Sequence, residues 1–246
     1  MPDSRKHRGK HPADFKLFCE TRVETLRTAV AELSWLRGRG YADVSAVKLV
    51  GDRHGLAARQ RAAVMRCSCT DAALRRRAES ATTLAGCCAS PLGIDGYNLL
   101  ITVECALAGG LILIGRDGCF RDLAGVHGTY RKVEETVPAL TAIMNHLDAQ
   151  GTRRIDWYLD RPVSNSGRLK ALMAELIEAR PPRTHERAEW NIELVDSPDA
   201  VLIEYCGVVA TSDSAILDRC GRWVNLAAEL IEHTFPNAWK INLRDG

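Results

Sequence analysis

Ile94-Asp95-Gly96-Tyr97-Asn98 joins a short apolar run, Leu92 to Asp95, to a segment of helical character. A carboxylate, a glycine and an amide at such a junction read as the C-terminal end of a strand in an α/β sheet, where side chains face a crevice and rest on a rigid layer. Gly96 is expected to permit a sharp turn. Taken alone, Asp95 serves equally well as a turn starter or an N-cap. A second stretch of the same kind adds weight: Val208-Val209-Ala210-Thr211-Ser212-Asp213, followed by Ile216 and Leu217, again reads strand, acid, helix.

The chain around these stretches alternates in the same way. Strands are expected at Leu92 to Asp95, Leu111 to Ile114, Ile155 to Leu159, Asn191 to Val195 and Val208 to Thr211, with a further one at Trp239 to Leu243. The first is the poorest, because Pro91 and Gly93 are unfavourable in a central strand. Helices are expected from Asn98 to Ala108, from Thr136 to Gln150 with Thr136 as its cap, and from Arg168 to Ala179, stopped by Pro181-Pro182. Such alternation predicts a doubly wound, mainly parallel α/β sheet.

The first third differs. Apolar residues from Phe15 to Leu36 recur at helical spacing and predict one long amphipathic helix from Ala13 to Arg37, ended by Gly38 and Gly40. Further helical segments run from Asp43 to Arg53 and through "LAARQRAAVMRCS" and "TDAALRRRAESATTL". The prediction is a small all-helical module over residues 1–88 and an α/β domain over 89–246, divided in the loop-like stretch Gly86 to Pro91. The turn at His54-Gly55, with Arg59, Arg61 and Arg66 behind it, fits a helix-turn-helix or an ordinary solvated helix face.

Composition is that of a globular protein, with 46% hydrophobic and 26% charged residues. The apolar run Ala106 to Ile114 is interrupted by Gly109-Gly110 and is too short to span a membrane. The basic N-terminus is not followed by an apolar core, so a cytoplasmic setting without membrane attachment is expected. Nine cysteines lack the CxxC spacing of zinc or redox sites and read as reduced thiols. Charge is uneven: residues 1–90 hold 17 Lys and Arg against 9 Asp and Glu, the remainder 16 against 22. A basic module joined to an acidic one suits a protein that holds an anionic polymer with one part and gathers metal-binding carboxylates in the other. Mutual attraction of two domains gives the same split.

An acid follows every expected strand of the alternation: Asp95, Asp117, Asp160, Asp196 and Asp213. In a parallel sheet these ends share one edge, and carboxylates converging there call for a hard cation such as Mg²⁺ or Mn²⁺. Turn formation and helix capping account for any single one. The pairing of "IDGYN" with "VVATSDSAILD" resembles the PIN-like nucleases, in particular their NYN branch, over residues 90–225. The whole chain also resembles a prokaryotic family of two-domain proteins of unknown function, which implies no activity. The PIN-like resemblance implies a metal-dependent nuclease with Asp95 and Asp213 at the metal. "WYLD" resembles the middle-strand acid of the NYN branch and implies Asp160. "VDSPDAVLIEY" resembles its acid-bearing segment and implies Asp199 ahead of Asp196, and Glu104 stands where other members place a helix-borne acid.

Substrate contacts are expected from Asn98 and Ser212 in the two motifs and from the polar turn Arg161 to Gly167. There Ser164, Asn165 and Ser166 can hold a phosphate at a helix start, or simply cap the helix. The glycine-rich segment from Gly115 to Lys132 carries Arg116, Arg121, His127, Tyr130, Arg131 and Lys132 and is expected to be a mobile loop that receives a nucleic-acid backbone and stacks a base on Tyr130. His127 has no visible nucleophile partner, which argues against a serine or cysteine hydrolase. The expected activity is metal-dependent hydrolysis of phosphodiesters, in RNA ahead of DNA. The alternatives are a non-catalytic nucleic-acid-binding or regulatory protein, and a small-phosphate hydrolase.

Overall fold

The computed structural model describes residues 6–125, 128–180 and 188–244. The N-terminal region is helical, built of α1 (Asp14–Leu17), α2 (Glu20–Gly38), α3 (Asp43–Arg53), α4 (Ala58–Cys67) and α5 (Asp71–Ser80). The single long helix expected from Ala13 to Arg37 is therefore two. Cys19 is extended, with φ −68° and ψ 160°. The break lets Phe18 enter the helical core and Asp14, also buried, meet Arg59.

After α5 come β1 (Ala81–Thr82), β2 (Leu92–Asp95), α6 (Gly96–Leu107), β3 (Ile112–Ile114), β4 (Phe120–Arg121), α7 (Thr136–Ala149) and β5 (Arg154–Asp160). The chain continues through α8 (Ser166–Glu178), β6 (Glu189–Val195), α9 (Pro198–Ile203), β7 (Val208–Ala210), α10 (Ser214–Leu217), β8 (Arg222–Val224), α11 (Leu226–Thr234) and β9 (Lys240–Asn242).

Six strands form one sheet in the order β1-β8-β7-β2-β5-β6, and every pairing in it is parallel. Helices cover both faces. The larger core buries apolar residues of α6, α7, α8 and α11 against one face; the other face packs Leu202, Ile216 and Leu217 of α9 and α10 against Tyr158, Val209 and Trp223. The fold is thus a doubly wound α/β sheet preceded by helices.

The strand expected to be poorest lies at the centre. All four residues of β2 are buried, and Ile94 sits between Trp157 of β5 and Ala210 of β7. Gly93 is tolerated because its missing side chain gives room to α9: a Cβ there would stand 3.0 Å from the Tyr205 ring. The chain leaves β2 for β5 and β6 on one side, then returns to β7 and β8 on the other. That reversal makes the C-terminal ends of β2 and β7 the topological switch point, where open α/β sheets offer a crevice to ligands.

Two expected strands belong elsewhere. β3 pairs with β4 antiparallel and with β9 parallel, forming a separate three-stranded sheet. The cause is apolar burial: Leu111 and Leu113, with Ile241 and Leu243, complete the core of the N-terminal helices beside Leu26, Leu33 and Val64. That core is shared across the boundary expected near residue 88. β1, on the helical side of that boundary, pairs with β8 in the main sheet.

The arginines behind the His54-Gly55 turn are engaged within the chain. Arg59 pairs with Asp14, Arg61 pairs with Asp52 and donates to the Leu56 carbonyl, and Arg66 donates to the Asp122 carbonyl. Among the described residues no helix is long and apolar enough to cross a membrane. None of the nine cysteines forms a disulfide.

Candidate functional site

β2, β5 and β7 are adjacent and parallel, so the acids at or just beyond their ends, Asp95, Asp160 and Asp213, arrive at one edge of the sheet. Asp199, in the first turn of α9, joins them. Their mutual electrostatics report the convergence. Burial pushes the Asp95 carboxyl up to about 7; the Thr211 hydroxyl opposes this, and the charges of Asp213, Asp199 and Asp160 add to it. Asp160 is raised by burial and then by Asp199. Asp199 is exposed as a residue, yet its carboxyl is raised by partial desolvation and by Asp213.

The loop after β7 is tied to α6 by short polar contacts. Thr211 Oγ1 donates to Asp95 Oδ2 at 2.8 Å and accepts from the Asp213 amide at 3.0 Å. Ser212 gives both its amide and its hydroxyl to Asn98 Oδ1, at 3.0 and 2.9 Å. Asp213 caps α10, accepting from the Ala215 amide at 2.7 Å. Asn98 and Ser212, expected to touch substrate, are thus locked to each other across the switch point.

Gly96 serves a different purpose from the one expected. Its φ is not positive. A Cβ at this position would collide with Trp157 Nε1 and the Tyr158 carbonyl, so glycine is required by the close approach of β5 to the start of α6.

Beside the acids lies an open cleft of about 390 Å³, walled by Tyr97, Asn98, Asp160, Val163, Ser212 and Asp213, with Arg66 and Asp122 on its other side. Ser166 is buried under this wall. It accepts from Tyr97 Oη at 2.9 Å and donates to the Asp160 carbonyl at 2.5 Å, which fixes the end of β5 but leaves no hydroxyl for a phosphate. Ser164 is exposed, and its amide donates to the Gly128 carbonyl at 3.0 Å. Asn165 holds a left-handed conformation, φ 73°, with its side-chain amide donating to the Tyr130 carbonyl at 2.9 Å.

Several expected site residues are placed elsewhere. Glu104 is fully buried away from the acid cluster, 2.7 Å from Arg8 Nε, and accepts 2.6 Å hydrogen bonds from Tyr130 and Thr136. Burial raises its pKa against the pull of Arg8 and those hydroxyls. It is a core ion-pair member, not a metal ligand. Tyr130 is 2% exposed, so no base can stack on it. Thr136, expected to cap α7, is its first residue and spends its hydroxyl on Glu104.

Asp117 follows β3 out of the main sheet and pairs with two buried arginines, Arg77 at 2.5 Å and Arg121 at 2.7 Å. Burial opposes its ionisation, but Arg121 and Arg77 outweigh that and hold it well below the usual carboxylate range. Arg121, expected to bind substrate, spends its guanidinium on Asp117 and on the Ser212 carbonyl at 2.9 Å. Asp196 is exposed, 3.2 Å from Arg161. Arg131 is exposed beside a second cleft. His127 lies outside the described residues.

Thr211, Arg66 and Asp122 were not legible as members of the site. Thr211 had a signal, its place inside "ATSD". Asp122 had none, since it is held by Thr102 Oγ1 at 2.9 Å from twenty residues away.

The four carboxylates are hard oxygen donors, the type that Mg²⁺ and Mn²⁺ take. Among the described residues, no three His, Cys, Asp or Glu side chains lie close enough to share one ion directly.

Two family models match the chain. One, described as a domain of unknown function (DUF5616), covers residues 84–229, and the other, a protein of unknown function (DUF434), covers residues 25–79. An uncharacterised protein of Methanocaldococcus jannaschii is 28% identical over 211 residues, spanning 85% of this chain and 98% of its own length. No solved structure matches. With more than half of its length matched, the chain belongs to the DUF5616 family.

Proposed function

We propose that this protein is a metal-dependent nuclease that hydrolyses phosphodiester bonds in RNA, or less readily in DNA. The observation that carries the reading is the gathering of Asp95, Asp160, Asp199 and Asp213 at the switch point of a parallel sheet, with Asp95, Asp160 and Asp199 each raised by burial and then by neighbouring carboxylates. A carboxylate pushed up to about 7 by burial, with neighbouring carboxylates adding to the shift, is the kind of group that gathers at functional sites. The resemblance of "IDGYN" and "VVATSD" to the PIN-like nucleases of the NYN branch supports it, and reduced thiols suit a cytoplasmic setting.

Asp95, Asp160, Asp199 and Asp213 would hold Mg²⁺ or Mn²⁺, no more than two of them directly and the others through water, and the cation would activate water and stabilise charge on the phosphate and leaving oxygen. Asp95 would have to be ionised to serve as such a ligand. Thr211 fixes the orientation of its Oδ2, and the Asn98–Ser212 lock sets the position of Asp213 relative to α6. The cleft is open rather than closed, which suits a polymer better than a small phosphate ester.

A second reading, a nucleic-acid-binding or regulatory protein without catalysis, draws on the lack of three directly converging ligands among the described residues. Cleavage of end-labelled single-stranded RNA and DNA with added Mn²⁺ or Mg²⁺ separates the two. Metal-stimulated product that disappears in Asp213→Asn supports the nuclease; binding without product at any metal concentration supports the second reading.

A further inference from the structure

A second cleft, of about 490 Å³, opens beside the acid-lined one. Its floor is apolar, made by Leu169 and Leu172 of α8, and its rim carries Arg131, Lys132 and Arg168. All three cations are exposed, and none pairs with a carboxylate among the described residues, although Glu175 lies on the same wall. Like charges gathered without a counter-ion repel one another, and an anion relieves them. By contrast, Arg121, which lines the acid-lined cleft, is tied to Asp117.

The two clefts share a wall. Val163 lines the first and Asn165 the second. Between them the turn is stitched to residues 128–130, with the Ser164 amide donating to Gly128 and the Tyr130 amide to Ser164, at 3.0 and 3.1 Å. Asn165, the one non-glycine residue with positive φ among those described, pins the Tyr130 carbonyl from the same turn. Arg131 and Lys132 therefore follow directly from a segment held against the end of β5, and their place relative to Asp160 is fixed by backbone.

We infer that this second cleft is a nucleotide subsite for a single strand of nucleic acid whose scissile phosphate lies at the aspartates. The base rests on the Leu169–Leu172 floor, and the flanking phosphates meet Arg131, Lys132 and Arg168. An apolar floor with a cationic rim takes any base by its face and any phosphate by charge, so the subsite binds strands without reading sequence. The inference rests on the nuclease reading for what happens to the strand, but not for whether it binds.

Binding of a fluorescein-labelled oligouridylate carrying 4-thiouridine is to be measured in EDTA, where no metal-dependent cleavage occurs, over a range of salt. Replacing Arg131→Gln, Lys132→Gln and Arg168→Gln together should weaken binding about tenfold or more and flatten the salt dependence by about two units of slope, given about 0.7 per phosphate for single strands. Leu172→Glu, a single change on the floor, should weaken it as well. Crosslinks from the parent should map to residues 128–132 or 168–175.

No binding by the parent, unchanged affinity and salt slope in the triple variant, or crosslinks confined to other surfaces would each overturn the subsite. The same preparations incubated with Mn²⁺ report on cleavage separately. Binding through this face without cleavage leaves the subsite standing and removes the nuclease. Cleavage by a triple variant that binds like the parent removes the subsite alone.

Discussion

Thr211 Oγ1 lies 2.8 Å from Asp95 Oδ2, a contact between the loop after β7 and the last residue of β2. The hydroxyl donates, so it favours the ionised carboxylate against burial and three neighbouring negative charges. Without it Asp95 holds its proton more tightly. If the protein is the proposed nuclease, Thr211→Val should move the acidic limb of its pH–rate profile upward by about one unit, since a hydrogen bond to a charged group is worth about 1.5 to 3 kcal/mol. Thr211→Ser, which restores the donor, should return the profile toward that of the parent. A profile unmoved by Thr211→Val would mean that this bond does not set the protonation of Asp95.

Asp95 also makes stability depend on pH in the metal-free protein. Its folded pKa, about 7, lies above the ordinary 3.8 of the unfolded chain. The folded state therefore binds the extra proton between these values, and the associated stability is present below about pH 4 and lost as pH rises through 7. Asp95→Asn removes the penalty while keeping an acceptor for Thr211. In EDTA at pH 8 the variant should be more stable than the parent, by up to about 4 kcal/mol for a three-unit shift, with the advantage fading toward pH 4. Urea unfolding at the two pH values measures it, and an equal or lower stability at pH 8 would contradict the burial of this charge.

Asp117 should behave in the opposite way, although the alternation of strands and acids placed it in the same series. Its pKa is depressed by Arg121 and Arg77, so its contribution is present above about pH 4 and lost as pH falls below that. Asp117→Asn leaves the buried Arg121 without its carboxylate, while Arg77 keeps Asp218, and should cost about 3 to 5 kcal/mol at neutral pH. Because Arg121 also donates to the Ser212 carbonyl, this variant should loosen the Asp213 loop. Urea denaturation at pH 7 gives the first effect, and hydrogen exchange of the Asp213 amide gives the second.

The contrast shows which parts of the fold were readable. β5 and β7 announce themselves by bounded apolar runs, β2 only weakly because of Pro91 and Gly93, and Asp95, Asp160 and Asp213 follow at their ends, so these acids were legible from local pattern. The sheet to which a strand belongs is not local. β3 looks like any other strand from Leu111 to Ile114, and its exclusion from the main sheet depends on β9, more than a hundred residues later, and on the needs of the helical core. Asp117 was misplaced for that reason. Glu104 and Tyr130 were misread for a related one: each looks like site chemistry alone, while together with Arg8 they satisfy one another in the core.

Gly96 was read as a turn former. Its backbone is ordinary, and the constraint is the approach of β5. Gly96→Ala should therefore destabilise by about 1 to 3 kcal/mol through overpacking against Trp157, in place of the small gain that alanine usually brings to a helix start. A blue-shifted or broadened tryptophan signal should accompany the loss. Stability equal to the parent's would show that β5 can retreat.

Asp213 and Asp196 test whether position along the sheet edge, rather than negative charge, makes the site. Both follow a strand end, but Asp213 acts electrostatically on Asp95 and Asp199, while Asp196 is exposed and paired with Arg161. If the carboxylates at the switch point hold the cation, Asp213→Asn should abolish Mn²⁺-stimulated cleavage. Asp196→Asn should leave it near the parent rate, because an exposed pair contributes about 0 to 1 kcal/mol and touches nothing in the cleft. Asparagine keeps a side-chain oxygen for the Ala215 amide, so the cap on α10 survives and the fold should melt within a few degrees of the parent. Cleavage rates at saturating Mn²⁺, read beside melting curves of each metal-free variant, decide the matter. Full activity in Asp213→Asn would remove the aspartate cluster from the chemistry altogether.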